Sequence, residues 1–141
     1  MGGFNLEYLD SAHMYLFGGV KFLHLLLLLM ALDIITGLFK AWKNQNLWSR
    51  KSLFGYSRKV LVLVVIVLAN VVDQILGLDG AVAYATVLFY IMNEGISIIE
   101  NLAEVDVLVP PILAEKLKSI ESKGKPISKE IKEEFSSNSK E

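Results

Sequence analysis

Three carboxylates lie in long apolar stretches of this chain, where a charged side chain needs a specific reason to be. Asp33, Asp73 and Glu94 fall within residues 22–39, 60–78 and 81–99, respectively. Insertion of an Asp or a basic residue at the centre of a bilayer costs about 2.5 to 3.5 kcal/mol, unless the group is protonated, paired or wetted. We therefore expect these acids to be functional, either by lining a polar space or by acting in assembly.

The three apolar stretches have the length of membrane spans. A hydrocarbon core about 30 Å thick needs roughly 17 to 25 helical residues. Apolar residues make up 53% of the chain, and the 21% that are charged lie almost entirely between or after the stretches. The sequence predicts an all-α integral membrane protein with three transmembrane helices in a membrane domain at 22–101. The alternative is that residues 60–92 form a re-entrant loop, which is tolerated only where protein or water covers its backbone.

The segments on either side of the membrane domain are short. Residues 1–21 carry Glu7 and Asp10 before Lys21, unlike a cleavable signal peptide. We expect them to form an N-terminal interfacial segment in which Gly18 and Gly19 break any helix. Met14 as a second start is left open. The tail at 102–141 predicts an amphipathic helix from Pro110, an interruption at 123–126 and a disordered polar end at 136–141. We expect the tail to lie on the membrane surface or to contact neighbouring tails.

Basic residues set the predicted orientation. They concentrate in a loop at 40–59 that contains no acid, namely Lys40, Lys43, Arg50, Lys51, Arg58 and Lys59. Loops rich in Lys and Arg face the cytoplasm, and Trp42 and Trp48 are placed where an aromatic belt would meet the headgroups. The sequence thus predicts the N-terminus outside and the C-terminus, with its amphipathic helix, in the cytoplasm.

Polar residues recur at helical spacing in each span and predict one polar face per helix. Asp33 and Glu94 lie at similar predicted depth and could share one polar layer. Three helices are too few to enclose much polar surface, so we expect a homo-oligomer in the phospholipid bilayer. The residues predicted to be membrane-embedded and to act in assembly are Asp33, Thr36, Gly37, Asn70, Asp73, Asn93, Glu94, Ser97, Glu100 and Asn101.

Simpler interpretations of these residues remain open. Asp33 and Lys40 could form an ion pair at a helix end, with the Lys side chain reaching the interface. Asp73 and Gln74 could merely lie near the outer surface. Ser97 could be an ordinary interhelical hydrogen-bond partner.

Several classes of function find no support in the sequence. The absence of cysteine removes disulfides and Cys-ligated metals, and His13 and His24 have no metal-site spacing. There is no phosphate-binding loop or nucleophile elbow, and no basic nucleic-acid motif. We predict no enzyme activity, no cofactor, no metal and no nucleic-acid partner.

Three ordered motifs resemble the phage-lysis and toxin-secretion holins. They are Asp33-Ile34-Ile35-Thr36-Gly37, the basic segment from Ser49 to Lys59, and the run from Phe89 to Asn101, followed by Pro110-Pro111. The resemblance covers about residues 25–117. Ile34 departs from the pattern, since an aromatic residue would be expected after the Asp.

The resemblance implies a protein that oligomerises in the bacterial cytoplasmic membrane and forms lesions. An endolysin or a toxin without a signal peptide would leave through them, with no direct contact required, and an anti-holin is a possible partner. Two other interpretations stay open: a small selective ion or metabolite channel, and a non-lytic scaffold or anti-holin. The sequence predicts neither stoichiometry nor pore size.

Overall fold

The structure, a computed structural model, describes residues 5–138, apart from several side chains after Ile120. It contains five helices within that range. Their bounds are α1 Leu6–Phe17, α2 Leu23–Lys43, α3 Arg50–Leu76, α4 Ala81–Glu104 and α5 Pro111–Asn138.

Helices α2, α3 and α4 are long and apolar enough to cross a membrane, which confirms the three predicted spans. All three extend beyond the predicted bounds, and α2 ends at Lys43 rather than at residue 39. α3 begins at Arg50 rather than at residue 60, and α4 ends at Glu104 rather than at residue 99. The segment 40–59, predicted as a loop, is therefore helical except at residues 44–49. Ser49 starts α3 as its N-cap, because its hydroxyl accepts from the Ser52 N–H at 3.2 Å.

A tight turn at residues 77–80 connects α3 to α4. Gly77 and Gly80 both adopt left-handed backbone conformations, with φ of 64° and 84°, and Asp79 between them has φ of 53°. Glycine adopts this conformation without strain, so the chain reverses within four residues. The helices on both sides run the full length of a span. This arrangement agrees with a hairpin rather than a re-entrant loop.

The apolar core lies where α2 and α3 both pack on α4. Leu26, Ile66 and Val87 are fully buried there, one from each helix. Contact between α2 and α3 themselves is slight. Most of each span remains uncovered, since only 22% to 33% of the three apolar windows is buried within the chain. The exposed apolar surface is therefore available to lipid or to other copies.

The two outer helices pack on α3 and α4. α1 contacts α3, and α5 turns back after residues 105–110 to pack along α4. The predicted interruption at 123–126 is wrong, because α5 continues through Pro126. A proline inside a helix removes one hydrogen bond and crowds the carbonyl four residues before it, which can kink a long helix without ending it. The predicted disorder is wrong for residues 136–138, which belong to α5, and residues 139–141 lie outside the described residues.

Candidate functional site: polar contacts between the membrane helices

A buried ion triad joins the three apolar helices. Lys59 of α3 donates to Asp33 of α2 at 2.5 Å and to Glu94 of α4 at 2.6 Å. The side chains are only 15%, 9% and 11% exposed, respectively. When all three groups are ionised, the triad has two negative charges and one positive charge. It can hold the helices together, because each carboxylate has a cationic partner within the chain.

Asp33 and Glu94 were predicted to share a layer, and the structure brings them together through a residue assigned to the basic loop. The sequence does contain a pattern that indicates the burial of Lys59. Val62, Ile66 and Asn70 follow it at steps of three and four residues and are all buried. Lys59 therefore starts the buried face of α3. Its charge had led to the opposite assignment.

A second set of hydrogen bonds fixes the other side of Asp33. The amide of Asn101 donates to the Asp33 carboxylate at 2.8 Å and to the Thr36 hydroxyl at 3.1 Å. A Cβ on Gly37 would lie 3.6 Å from the same amide nitrogen. The predicted polar faces of α2 and α4 therefore meet directly.

Asn70 and Asp73 contact helix ends instead of this layer. Asn70 donates to the Leu16 carbonyl at 2.9 Å, at the C-terminal end of α1. The Asp73 carboxylate accepts from the Val82 and Ala83 N–H groups, both at 2.8 Å. Unpaired N–H and C=O groups at helix ends need partners when they are buried. Both residues therefore connect α3 to a neighbouring helix end.

Two exposed ion pairs link the C-terminal ends of α2 and α4. Lys40 lies 3.0 Å from the Glu104 carboxylate, and Lys43 lies 2.9 Å from Asp106. Lys43 also donates to the Glu104 carbonyl at 2.7 Å. The proposed pairing of Asp33 with Lys40 is wrong, because each residue has another partner.

One polar face of α4 is left without such contacts. Asn93, Ser97 and Glu100 lie at steps of four and three residues, and Asn93 and Glu100 are exposed. Within residues 5–138, their side chains have no hydrogen-bonding or ionic partner. We call these three residues the α4 polar stripe. At 100° per residue, the stripe is turned about 60° to 120° away from Glu94, which faces the interior.

The acidic and histidine residues in the part of the chain that the structure describes form no metal site. No group of three His, Cys, Asp or Glu residues there could hold a metal ion. Every buried side-chain nitrogen or oxygen in that part has a hydrogen-bond partner. The polar contacts described above thus connect helices, whereas the side chains of the α4 polar stripe make no such contact.

Comparisons with known proteins place this arrangement in a family context. The model of the bacteriophage holin family matches residues 11–122. A probable holin of Bacillus phage phi105 is 52% identical over 118 residues, which are 84% of this chain and 87% of the relative. The uncharacterized protein YqxH of Bacillus subtilis is also 52% identical over 118 residues, 84% of each chain. The uncharacterized protein CPE0383 of Clostridium perfringens is 42% identical over 100 residues, 70% of this chain and 73% of the relative. No solved structure matches.

Proposed function

Because the chain belongs to the bacteriophage holin family, we propose that it assembles in the bacterial cytoplasmic membrane and opens lesions through which a cell-wall hydrolase or a toxin leaves the cell. Family membership and three apolar helices make it a multi-pass protein of that membrane. The lesion, the cargo and the orientation of the termini belong to the proposal. It involves no enzymatic step.

The observation that carries the proposal is the unpartnered α4 polar stripe. Asn93 is the thirteenth of the 24 residues of α4 and thus lies near the middle of a helix long enough to span. Asn93 and Ser97 line a polar cavity between α2, α3 and α4, and where lipid rather than water reaches this cavity, an amide without hydrogen bonds costs about 2 to 7 kcal/mol, depending on the reference state. Another copy of the chain or a water-filled lumen would restore them. Assembly is therefore favoured over a dispersed subunit.

The same stripe supplies a mechanism for opening. In small assemblies, Asn93 and Ser97 contact polar groups of a neighbouring copy and stay away from lipid. In a large assembly, the stripes of many copies face a common aqueous space, where Glu100 can be ionised and hydrated. Lesions then appear once the surface density of the protein passes a threshold.

The buried acids serve this mechanism indirectly. Asp33, Asp73 and Glu94 each have partners inside the chain, so they need no lumen to satisfy them. We assign them to holding α2, α3 and α4 in one unit, which fixes the direction of the stripe. The alternative assignment, in which these acids line the lesion, requires the Lys59 contacts to break.

Induced expression in a bacterium tests the proposal. Membrane potential and optical density are followed with and without a coexpressed cytoplasmic endolysin. We expect abrupt depolarisation in both cultures and lysis only in the culture with endolysin. Depolarisation without endolysin release would instead indicate a small selective channel, and no depolarisation would indicate a scaffold or anti-holin.

Two matched variants test the role of the stripe. Asn93→Leu removes the central amide, and Gln74→Leu makes a similar change at an exposed position of α3 outside the stripe. We expect Asn93→Leu to change the time of lysis or abolish lysis at equal expression, and Gln74→Leu to leave the time unchanged. Equal lysis times in Asn93→Leu and the parent protein would contradict assembly through the stripe.

A further inference from the structure

A polar cavity of about 520 Å³ lies between α2, α3 and α4 at the basic end of the bundle. Lys59, Asp33 and Glu94 line it, and Lys51 and Arg58 line it nearer the start of α3. The space exists because α2 and α3 both pack on α4 and make little contact with each other. It therefore joins the ion triad to the end of the bundle where the basic residues concentrate.

Two cations of this cavity have no ion-pair partner in the described part of the chain. Lys40, Lys43 and Lys59 each form an ion pair with a carboxylate. Lys51 and Arg58 have no carboxylate partner within the described part of the chain. The two acids that line the cavity are bound to Lys59 and leave the triad with one negative charge, so the triad together with Lys51 and Arg58 keeps one positive charge.

The geometry leaves both cations free to bind a ligand. The Arg58 guanidinium lies 5.6 Å from the centre of the Phe54 ring, a contact with the face of a ring that leaves the N–H donors available. Lys51, Gly55 and Arg58 follow at steps of four and three residues on one side of α3, about 10 Å from first to last. A Cβ on Gly55 would meet nothing within 4 Å, so no side chain fills the space between the cations.

Hydroxyl and apolar groups surround the same space. Tyr56 lines the cavity, and its hydroxyl has no hydrogen-bond partner in the described part of the chain. A larger cavity of about 1210 Å³, lined by Trp42, Trp48 and aliphatic side chains, shares Asn46 and Ser49 with the polar one. Aromatic side chains of this kind mark the headgroup level of a bilayer. The neighbouring cavities thus offer cationic and apolar surfaces to one amphiphile.

We propose that the polar cavity binds the phosphate of an anionic phospholipid headgroup, with Lys51 and Arg58 as its ligands. Arginine binds phosphate with two parallel hydrogen bonds, and lysine binds it as a point charge. Basic pockets between membrane helices are known to bind anionic headgroups. A soluble anion would use the cations alone, whereas a lipid also uses the adjoining apolar cavity. The site does not depend on lesion formation.

Tryptophan quenching measures this binding directly. The full chain is placed at low density in phosphatidylcholine vesicles, and brominated phosphatidylglycerol is compared with brominated phosphatidylcholine as quencher. The chain has two tryptophans, and both line the adjoining cavity, so quenching reports lipid at this end of the bundle. We expect phosphatidylglycerol to bind at least fivefold more tightly than phosphatidylcholine. Equal binding of the two lipids would overturn the proposal.

Variants separate a site from diffuse attraction. Arg58→Gln and Arg50→Gln remove the same charge from exposed positions of α3, but only Arg58 lines the cavity. We expect Arg58→Gln to lose most of the preference for phosphatidylglycerol over phosphatidylcholine and Lys51→Gln to reduce it. In Arg50→Gln, this preference should stay within twofold of that of the parent protein. An equal loss in Arg50→Gln would assign the preference to surface charge and overturn the site. Displacement by glycerol phosphate at the same concentration as the lipid would assign the site to a soluble phosphate and overturn the lipid proposal.

Discussion

Leu117 of α5 packs directly against Gly95 of α4. A Cβ at position 95 would lie 2.7 and 2.8 Å from the two methyl carbons of Leu117 and 3.3 Å from its Cγ, so this approach is possible only because residue 95 is glycine. Gly95 lies nine residues before the end of α4, which is about 13 Å along its axis. α5 therefore docks along a spanning helix. The sequence had led us to expect it on the membrane surface or against neighbouring tails.

We expect a disulfide to capture this contact. The chain contains no cysteine, so the double variant Gly95→Cys with Leu117→Cys has a single pair to oxidise. The Cβ atoms of a disulfide lie about 3.5 to 4.5 Å apart, which the packing of α5 on α4 allows. Mass spectrometry of the oxidised protein in membranes should show an intramolecular disulfide in most chains. As control, Leu113 is half exposed, so Gly95→Cys with Leu113→Cys should crosslink far less. Equal yields in the two variants would mean that α5 is not docked as described.

The ion triad predicts unequal effects for its members. Lys59→Met leaves Asp33 and Glu94 buried without a cation, a change that typically costs about 3 to 5 kcal/mol. Glu94→Gln leaves Asp33 and Lys59 as a neutral pair and should cost less, on the order of 1 to 3 kcal/mol. Thermal unfolding in detergent should therefore show a larger fall in Tm for Lys59→Met.

A triple variant serves as control for the triad. Combining Lys59→Met with Asp33→Asn and Glu94→Gln removes every charge, and we expect it to recover part of the Tm lost in Lys59→Met alone. The charge argument fails if Glu94→Gln destabilises as much as Lys59→Met, or if the triple variant recovers nothing.

The spans could be predicted from sequence because each depends on local composition. Length and apolar content locate α2 and α4 within a few residues of their observed ends. The same reasoning placed Asp33 and Glu94 at one depth, since depth follows from residue count along a helix. These properties need no knowledge of which helix faces which.

The contacts that each polar side chain makes with other helices could not be predicted in the same way. Lys59 was assigned to the loop because a basic residue beside a span normally reaches water, and only the packing of α3 between two acids overrides that preference. Asp73 shows the same limit. Its spacing fits a polar face, but its ligands are backbone N–H groups that exist only once the turn at 77–80 has formed. Such contacts depend on tertiary geometry that one sequence does not specify.

The cap formed by Asp73 predicts a stability difference between two nearby acids. Asp73→Asn keeps the shape of the side chain but leaves one oxygen to accept from two N–H groups. We expect the free energy of unfolding to fall by about 1 to 2 kcal/mol. Asp79→Asn should be neutral or slightly stabilising, because Asp79 is exposed and Asn tolerates its positive φ. Unfolding in detergent measures both. If Asp79→Asn lowered the free energy of unfolding as much as Asp73→Asn, the effect would come from negative charge near the turn and not from the hydrogen bonds that Asp73 accepts.

Gly18 predicts how firmly α1 is held to α3. Its backbone has φ of 63° and ψ of −157°, a region that is essentially restricted to glycine, and a Cβ there would lie 2.9 Å from the Asn70 side-chain oxygen. Gly18→Ala should therefore cost about 1 to 3 kcal/mol and disturb the bond from Asn70 to the Leu16 carbonyl. Gly19→Ala is the matched control, because a Cβ at Gly19 meets nothing within 4 Å and its φ is not positive. Hydrogen exchange of a peptide covering α1 should be faster in Gly18→Ala and unchanged in Gly19→Ala. Equal protection in both variants would mean that the Asn70 contact does not hold α1 in place.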